Sequence, residues 1–171
     1  VFVADDHDLF RAGLKQLLAE DKDILVAGEA SSGEDAVAGV TTGDYDVVLL
    51  DISMPGLHWL EVMSQVRKAK PNLPILILTM HPEGQYAIRA LRAGAVGYLT
   101  KKAAPDELLA AITRVAQGRR YVTNSLAEQL ARALPGAHVV KSLNTVNCGV
   151  MVAPPEGATM FVSGDDPAAK A

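Results

Sequence analysis

Long apolar runs that stop abruptly at a polar residue are the main pattern of the first hundred positions. The run 47–50 is Val-Val-Leu-Leu and ends at Asp51, with Pro55 and Gly56 close behind. Because no polar residue interrupts the run, it predicts a strand buried on both faces, and therefore a central parallel strand of a sheet. Asp51 would lie at the carboxyl end of that strand, where open α/β sheets carry their chemistry.

Three further runs have the same form. They are residues 1–4, followed by Asp5 and Asp6; residues 75–78, followed by Thr79; and residues 96–100, followed by Lys101. Parallel strands end at a common edge of their sheet. The four strands are therefore expected to bring three carboxylates, a Thr hydroxyl and a Lys ammonium together.

Helical patterns separate these strands. The first predicted helix has Asp8 as N-cap and an apolar stripe of Leu9, Phe10, Leu14, Leu17 and Leu18. The others are 34–40, capped by the segment Ser31-Ser32-Gly33; 58–69; 82–93, stopped by Gly94; and 105–117. A short second strand is expected at 24–28. Strands that alternate with helices pair in parallel through right-handed crossovers. The sequence thus predicts a doubly wound α/β domain that is complete by about residue 118.

Composition narrows the class of protein. With 171 residues, 49% of them hydrophobic, the chain can bury one ordinary core. Its net charge of −4 argues against a nonspecific nucleic-acid binder. The single cysteine, Cys148, excludes an internal disulfide framework and a Cys-based zinc site, so a cytoplasmic location is expected. No apolar stretch approaches the ~18 residues of a membrane span, and no membrane partner is expected.

The acidic residues predict a metal site. Asp5, Asp6 and Asp51 would repel one another if they met without a partner. A divalent cation with oxygen-only ligands removes that conflict, and Mg²⁺ suits such a site. The set fits phosphoryl transfer to Asp51, with the metal and Lys101 neutralising phosphoryl oxygens. The Thr79 hydroxyl could then bond the phosphoryl group and move only when that group is present.

Residues 1 to about 122 resemble the receiver domain of a bacterial two-component response regulator, of the class that usually carries a C-terminal helix-turn-helix. The matching segments are Val3-Ala4-Asp5-Asp6-His7, Leu50-Asp51-Ile52-Ser53-Met54-Pro55-Gly56, Leu78-Thr79-Met80-His81 and Gly97-Tyr98-Leu99-Thr100-Lys101. The resemblance implies a flavodoxin-like fold with strand order 2-1-3-4-5. It also implies Mg²⁺ as cofactor, a sensor histidine kinase as phosphodonor and a surface available for homodimers.

The same resemblance assigns roles by position. They are Asp51 as phosphoacceptor; Asp5, Asp6, Asp51 and the backbone carbonyl of Ser53 as metal ligands; Lys101 as the phosphate-binding ammonium; Thr79 as the switch hydroxyl; and Tyr98 as the switch aromatic. Such a domain is not an enzyme beyond Mg²⁺-dependent self-phosphorylation from a phosphodonor and autodephosphorylation.

Some residues have simpler interpretations. Lys102 could replace Lys101 in its role, and Tyr98 could be a packing residue. The four histidines, His7, His58, His81 and His138, are scattered without metal-binding spacing and are expected to be surface or structural residues.

The tail from about residue 123 has a different character. Ser125 and Glu128 form a capping box for a helix to residue 134, and runs 138–143 and 159–163 predict two strands. These segments resemble the later part of the Rossmann-type NADP-binding domain of deazaflavin-dependent NADP reductases. No Gly-x-Gly-x-x-Gly occurs in the chain, which argues against dinucleotide binding.

The sequence therefore predicts two regions, a receiver-like domain at 1–122 and a Rossmann-like extension at 123–171. The extension is expected to add about two strands, preferably to the unpaired edge of the receiver sheet. It lacks a helix-turn-helix, so no direct DNA binding is expected. The alternative to a phospho-accepting domain is an engineered or recombined α/β chimera without signalling output, or a fragment of an NADP-dependent oxidoreductase.

Overall fold

The computed structural model describes residues 1–127, apart from the side chain of Gln85. The chain divides into two compact units, Val1–Arg119 and Arg120–Ala171. The elements of the first unit are β1 (Phe2–Ala4), α1 (Asp8–Ala19), β2 (Gly28–Ala30), α2 (Gly33–Thr42), β3 (Val48–Leu50), α3 (Trp59–Ala69), β4 (Ile75–Thr79), α4 (Gly84–Arg92), β5 (Gly97–Thr100) and α5 (Pro105–Ala116).

The five strands form one parallel sheet in the order β2-β1-β3-β4-β5. Ala4 pairs with Leu50, and Leu50 pairs in turn with Ile77. This register places the residues that follow β1 and β3 at the same edge of the sheet. The predicted doubly wound, flavodoxin-like fold with order 2-1-3-4-5 is confirmed.

The apolar runs form the buried layer of the unit. Every residue of β1, β3 and β4 is buried, and Leu76 and Ile77 at the centre of the sheet are fully inaccessible. Helices pack on the sheet through Leu18 of α1, Met63 of α3 and Ile112 of α5, each at most 2% exposed. A strand needs continuous apolar sequence when both of its faces are covered, which explains the runs.

Two of the five helices of the first unit begin with a side-chain cap. The Ser32 side chain accepts a hydrogen bond from the Asp35 N–H at the start of α2. At the start of α3, His58 Nδ1 accepts from the Leu60 N–H. Gly94 has φ +101° just after α4, a conformation that favours glycine. These caps explain where the crossovers turn back to the sheet.

The second strand differs from its prediction. We expected residues 24–28, but β2 is Gly28–Ala30. In the ladder with β1, Phe2 pairs with Gly28 and Ala4 pairs with Ala30. Leu25, within the predicted run, is 75% exposed.

The first helix also differs in detail. Asp8 is its first residue rather than its cap, since the N-cap is His7. Leu14 and Leu18 are buried, but Leu9 is 88% exposed. Leu9 lies nine positions before Leu18, or about two and a half turns, and so faces the opposite side of the helix.

Residues 120–127 are the described part of the second unit. A helix begins at Asn124, and the Thr123 Oγ1 accepts from the Leu126 N–H, so the cap is Thr123 rather than Ser125. The predicted continuation to residue 134, the strands 138–143 and 159–163, and the resemblance to NADP-binding domains lie outside the described residues. Within residues 1–127, no helix is long and apolar enough to cross a membrane.

Replacement of Ser32 tests the α2 cap. Ser32→Ala removes the acceptor of the Asp35 N–H and is expected to lower the free energy of unfolding by about 1 kcal/mol. Urea denaturation measures the change. Ser31→Ala, one position earlier, is the control and is expected to stay within about 0.5 kcal/mol of wild type. Equal losses in both variants would contradict the capping role.

Candidate functional site

Two buried carboxylates stand at the carboxyl ends of adjacent strands. Asp5 follows β1 and is 2% exposed, and Asp51 follows β3 and is 1% exposed. Their backbones extend the ladder, because the Asp5 N–H donates to Ala30 O and the Asp51 N–H donates to Ala4 O. The hydrogen bonds of the sheet therefore fix the backbone positions of Asp5 and Asp51.

Lys101 places its ammonium between these carboxylates. Its Nζ lies 2.6 Å from Asp5 Oδ2 and 2.6 Å from Asp51 Oδ2, and its side chain is 3% exposed. The contacts are ion pairs by distance but fall outside hydrogen-bond angles. The Lys101 N–H donates to Thr79 O, which holds the residue just beyond β5. Lys102 is exposed, so Lys101 is the lysine of this site.

Thr79 and Tyr98 meet at the loop between β4 and α4. Both side chains are fully buried. Thr79 Oγ1 accepts from the His81 N–H at 3.5 Å, and the Tyr98 hydroxyl donates to His81 O at 3.0 Å. Burial raises the pKa of Tyr98 above its ordinary value, with further contributions from Glu83 and Asp51. The two side chains thus bind the backbone N–H and the backbone carbonyl of one residue, His81.

The acidic group has the chemistry of a cation site. Ligand atoms of Asp5, Asp6, His7 and Asp51 lie within 4.8 Å of one another. Asp6 Oδ1 and Asp51 Oδ2 are buried and receive no hydrogen bond within residues 1–127. Carboxylate oxygens of this kind, next to an open rim, fit Mg²⁺. The Ser53 N–H donates to Asp51 Oδ1 at 3.1 Å, which orients that carboxylate.

Sequence reasoning missed three side chains at the start of α1. His7 was expected to be a surface or structural residue, yet its Nδ1 lies 2.8 Å from Asp6 Oδ1. The ring of Phe10 has its centroid 4.6 Å from Lys101 Nζ, a cation–π distance. Their position within a few residues of the Asp5-Asp6 pair was the available signal.

Arg11 is the third. Its Nη1 donates to Asp5 O at 2.5 Å, and its side chain also pairs with Asp8 and Glu29. Lys15 and Arg11 hold the pKa of Glu29 below its usual range, with the Lys15 bond the larger cause. Arg11 therefore links the backbone of the acidic loop to α1 and to β2.

Comparison with known proteins agrees with this geometry. The family model "Response regulator receiver domain" matches residues 1–113. Response regulator UvrY of Escherichia coli K12 is 44% identical over 131 residues, which cover 77% of this chain and 60% of UvrY. Response regulator GacA of Pseudomonas aeruginosa is 38% identical over 131 residues, covering 77% of this chain and 61% of GacA.

A solved structure agrees as well. The LuxR-family two-component response regulator from Aurantimonas sp. SI85-9A1 superposes with a TM-score of 0.72 at 32% identity, covering 77% of this chain and 94% of that one. The chain spans about three fifths of the length of the curated relatives it matches. On the family match, the shared fold and the acidic edge of the sheet, the chain belongs to the response regulator receiver domain family of two-component systems.

Proposed function

We propose that this chain accepts a phosphoryl group on Asp51, with a phosphohistidine of a sensor kinase as donor. The observation that carries the proposal is the position of Lys101 Nζ, 2.6 Å from both Asp51 Oδ2 and Asp5 Oδ2 at the edge of the sheet. A buried ammonium beside a carboxylate supplies positive charge where phosphoryl oxygens would arrive.

The transfer moves the phosphoryl group between two side chains. An Asp51 oxygen forms a bond to phosphorus while the phosphorus–nitrogen bond of the donor breaks, and its electron pair stays on the donor imidazole. The Ser53 N–H orients Asp51 through Oδ1, which favours attack by the other oxygen. Lys101 offsets the negative charge that would otherwise keep the phosphoryl group away from the carboxylate.

Asp5, Asp6 and Asp51, with the Ser53 backbone carbonyl, are the proposed ligands of Mg²⁺. When bound, the ion would neutralise charge on the phosphoryl oxygens. Support comes from Asp6 Oδ1 and Asp51 Oδ2, which are buried and accept no hydrogen bond in the described part of the chain. Self-phosphorylation from small phosphodonors and autodephosphorylation follow from the same set of residues and belong to the proposal.

Thr79 and Tyr98 are the proposed switch residues. The Thr79 hydroxyl lies at the end of β4, beside β3 in the sheet, where it could bond a phosphoryl oxygen on Asp51. Movement of Thr79 would alter its hydrogen bond with the His81 N–H. The His81 carbonyl accepts a hydrogen bond from the Tyr98 hydroxyl, so Tyr98 would be affected too. Phosphorylation could thus change the loop before α4.

The partners and location are proposals of the same kind. We propose that this chain is located in the cytoplasm and that a sensor histidine kinase is its phosphodonor. We also propose that it forms a homodimer. The oxidoreductase alternative is not favoured, because the receiver family match contains the whole acidic site. A chimeric, Rossmann-like tail and the absence of direct DNA binding remain predictions about residues outside the described range.

Replacement of Asp51 tests the phosphoacceptor. Asp51→Asn is expected to abolish the gain of one phosphoryl group on incubation with acetyl phosphate and Mg²⁺, because the amide cannot form the acyl phosphate. Intact-mass spectrometry measures the adduct, and hydroxylamine should remove it. Asp8→Asn is the control, since Asp8 is 89% exposed on α1 and should leave the adduct unchanged. A full adduct on Asp51→Asn would contradict the proposal.

Replacement of Lys101 tests the ion pairs. Lys101→Met leaves two buried carboxylates without their cation and is expected to cost about 3 kcal/mol of unfolding free energy in EDTA. Added Mg²⁺ should restore more stability to this variant than to wild type, while phosphorylation is lost. Thermal unfolding with and without Mg²⁺ measures both effects, and Lys102→Met is the control. An unchanged unfolding temperature in EDTA would argue against a buried pair.

Alkaline titration tests the environment of Tyr98. Since burial raises the folded-state pKa of Tyr98, the neutral phenol stabilises the fold. That stability is fully present below the unfolded pKa of about 10 and is lost as pH rises through the folded pKa. Tyrosinate absorbance is expected to show one tyrosine that ionises late. Tyr98→Phe should remove that late step, whereas Tyr86→Phe, at an exposed position, should keep it. A late step that survives Tyr98→Phe would refute the assignment.

A further inference from the structure

We propose that His7 Nδ1 is an additional ligand of the divalent-cation site. With this nitrogen, the site of this chain would favour first-row transition ions such as Co²⁺ over Mg²⁺ more strongly than an oxygen-only site does. The inference rests on the proposed cation site and adds to it a residue and a metal preference.

The distances from His7 Nδ1 to two carboxylate oxygens match those between neighbouring ligands of one ion. His7 Nδ1 lies 2.8 Å from Asp6 Oδ1 and 3.3 Å from Asp5 Oδ1. Adjacent ligands of an ion bound at ~2.1 Å are separated by about 3.0 Å. The ligand atoms of all four residues, Asp51 included, lie within 4.8 Å of one another.

The orientation of the atoms supports the same conclusion. Although His7 Nδ1 and Asp6 Oδ1 are 2.8 Å apart, Asp6 Oδ1 is buried and has no hydrogen-bond partner in the described part of the chain. The 3.3 Å contact between His7 Nδ1 and Asp5 Oδ1 is a hydrogen bond only when Nδ1 carries the ring proton. In the other tautomer the proton is on Nε2, and the Nδ1 lone pair is available to an ion shared with the carboxylates. Asp51 Oδ2, on a residue 1% exposed, makes no hydrogen bond there either, and its close partner is the Lys101 ammonium at 2.6 Å.

The backbone holds His7 in this place. His7 is the N-cap of α1, and its N–H donates to Asp5 Oδ1 at 2.9 Å. The imidazole therefore follows the acidic loop rather than swinging freely from the helix. Its side chain is 58% exposed, which leaves room for exchange of water and ion at the rim.

Ligand chemistry then sets the metal preference. Mg²⁺ takes carboxylate, carbonyl and water oxygens, whereas imidazole nitrogen suits first-row transition ions, with affinity rising from Mn²⁺ through Co²⁺. Removal of the nitrogen should thus weaken Co²⁺ binding selectively. An imidazole that acted only as a counterion to the carboxylates would compete with both metals instead.

The experiment compares Mg²⁺ and Co²⁺ binding by calorimetry at about pH 8, where a free imidazole is neutral. The proteins are the full-length wild type, His7→Phe, and His58→Asn as a histidine control that keeps a cap acceptor for α3. We expect His7→Phe to lose at least about tenfold in Co²⁺ affinity and less than about threefold in Mg²⁺ affinity. His58→Asn should match wild type for both ions.

A spectroscopic measurement identifies the ligand directly. In the wild-type Co²⁺ form, the proton NMR spectrum should contain a far-shifted imidazole N–H signal that Mg²⁺ displaces and that His7→Phe lacks. Equal losses for both metals, no change in either, or tighter Mg²⁺ binding by His7→Phe would overturn the inference. Wild type that binds neither ion would instead refute the proposed cation site itself.

Discussion

The ion pairs of one buried lysine organise the acidic edge of this sheet. Asp5 and Asp51 are almost inaccessible to water, and burial of a charged group without a partner is costly. Lys101 offsets part of this negative charge, since its single ammonium contacts one oxygen of each. The three residues follow three different strands, so the charge arrangement exists only when β1, β3 and β5 are all in place.

The parallel register is what makes this convergence possible. Ala4 and Leu50 are paired residues, so the two carboxylates that follow them begin side by side. The backbone of Lys101 is in turn bonded to Thr79 at the end of β4. The backbones of these site residues are therefore hydrogen-bonded into the sheet, and the packed apolar strands fix their positions.

Strand-end chemistry could be predicted from sequence because it depends only on where apolar runs stop. Asp51 and Lys101 were found in that way, and the structure brings them together. Helix rotation is harder to predict, so the exposure of Leu9 and the approach of Phe10 to Lys101 were missed. The approach of His7 to the acidic residues was missed because it depends on a hydrogen bond from the His7 N–H to the Asp5 carboxylate. Hydrophobic periodicity does not predict such a bond. The bounds of β2 were missed because its apolar run, 24–28, precedes most of the residues that pair with β1.

The charges around the acidic loop differ in their exposure to solvent. A chain of partly exposed ion pairs on the outside of α1 joins Arg11, Glu29 and Lys15. Arg11, at one end of it, also donates a hydrogen bond to the Asp5 carbonyl. The Debye length falls from ~10 Å at 0.1 M salt to ~3 Å at 1 M, so concentrated salt weakens such exposed pairs, whereas the enclosed Lys101 pairs are screened far less. Concentrated salt would thus weaken the Arg11–Glu29 and Lys15–Glu29 pairs while leaving the Lys101 pairs almost unchanged. The contributions of the two groups of ion pairs to stability could therefore be distinguished without a mutation.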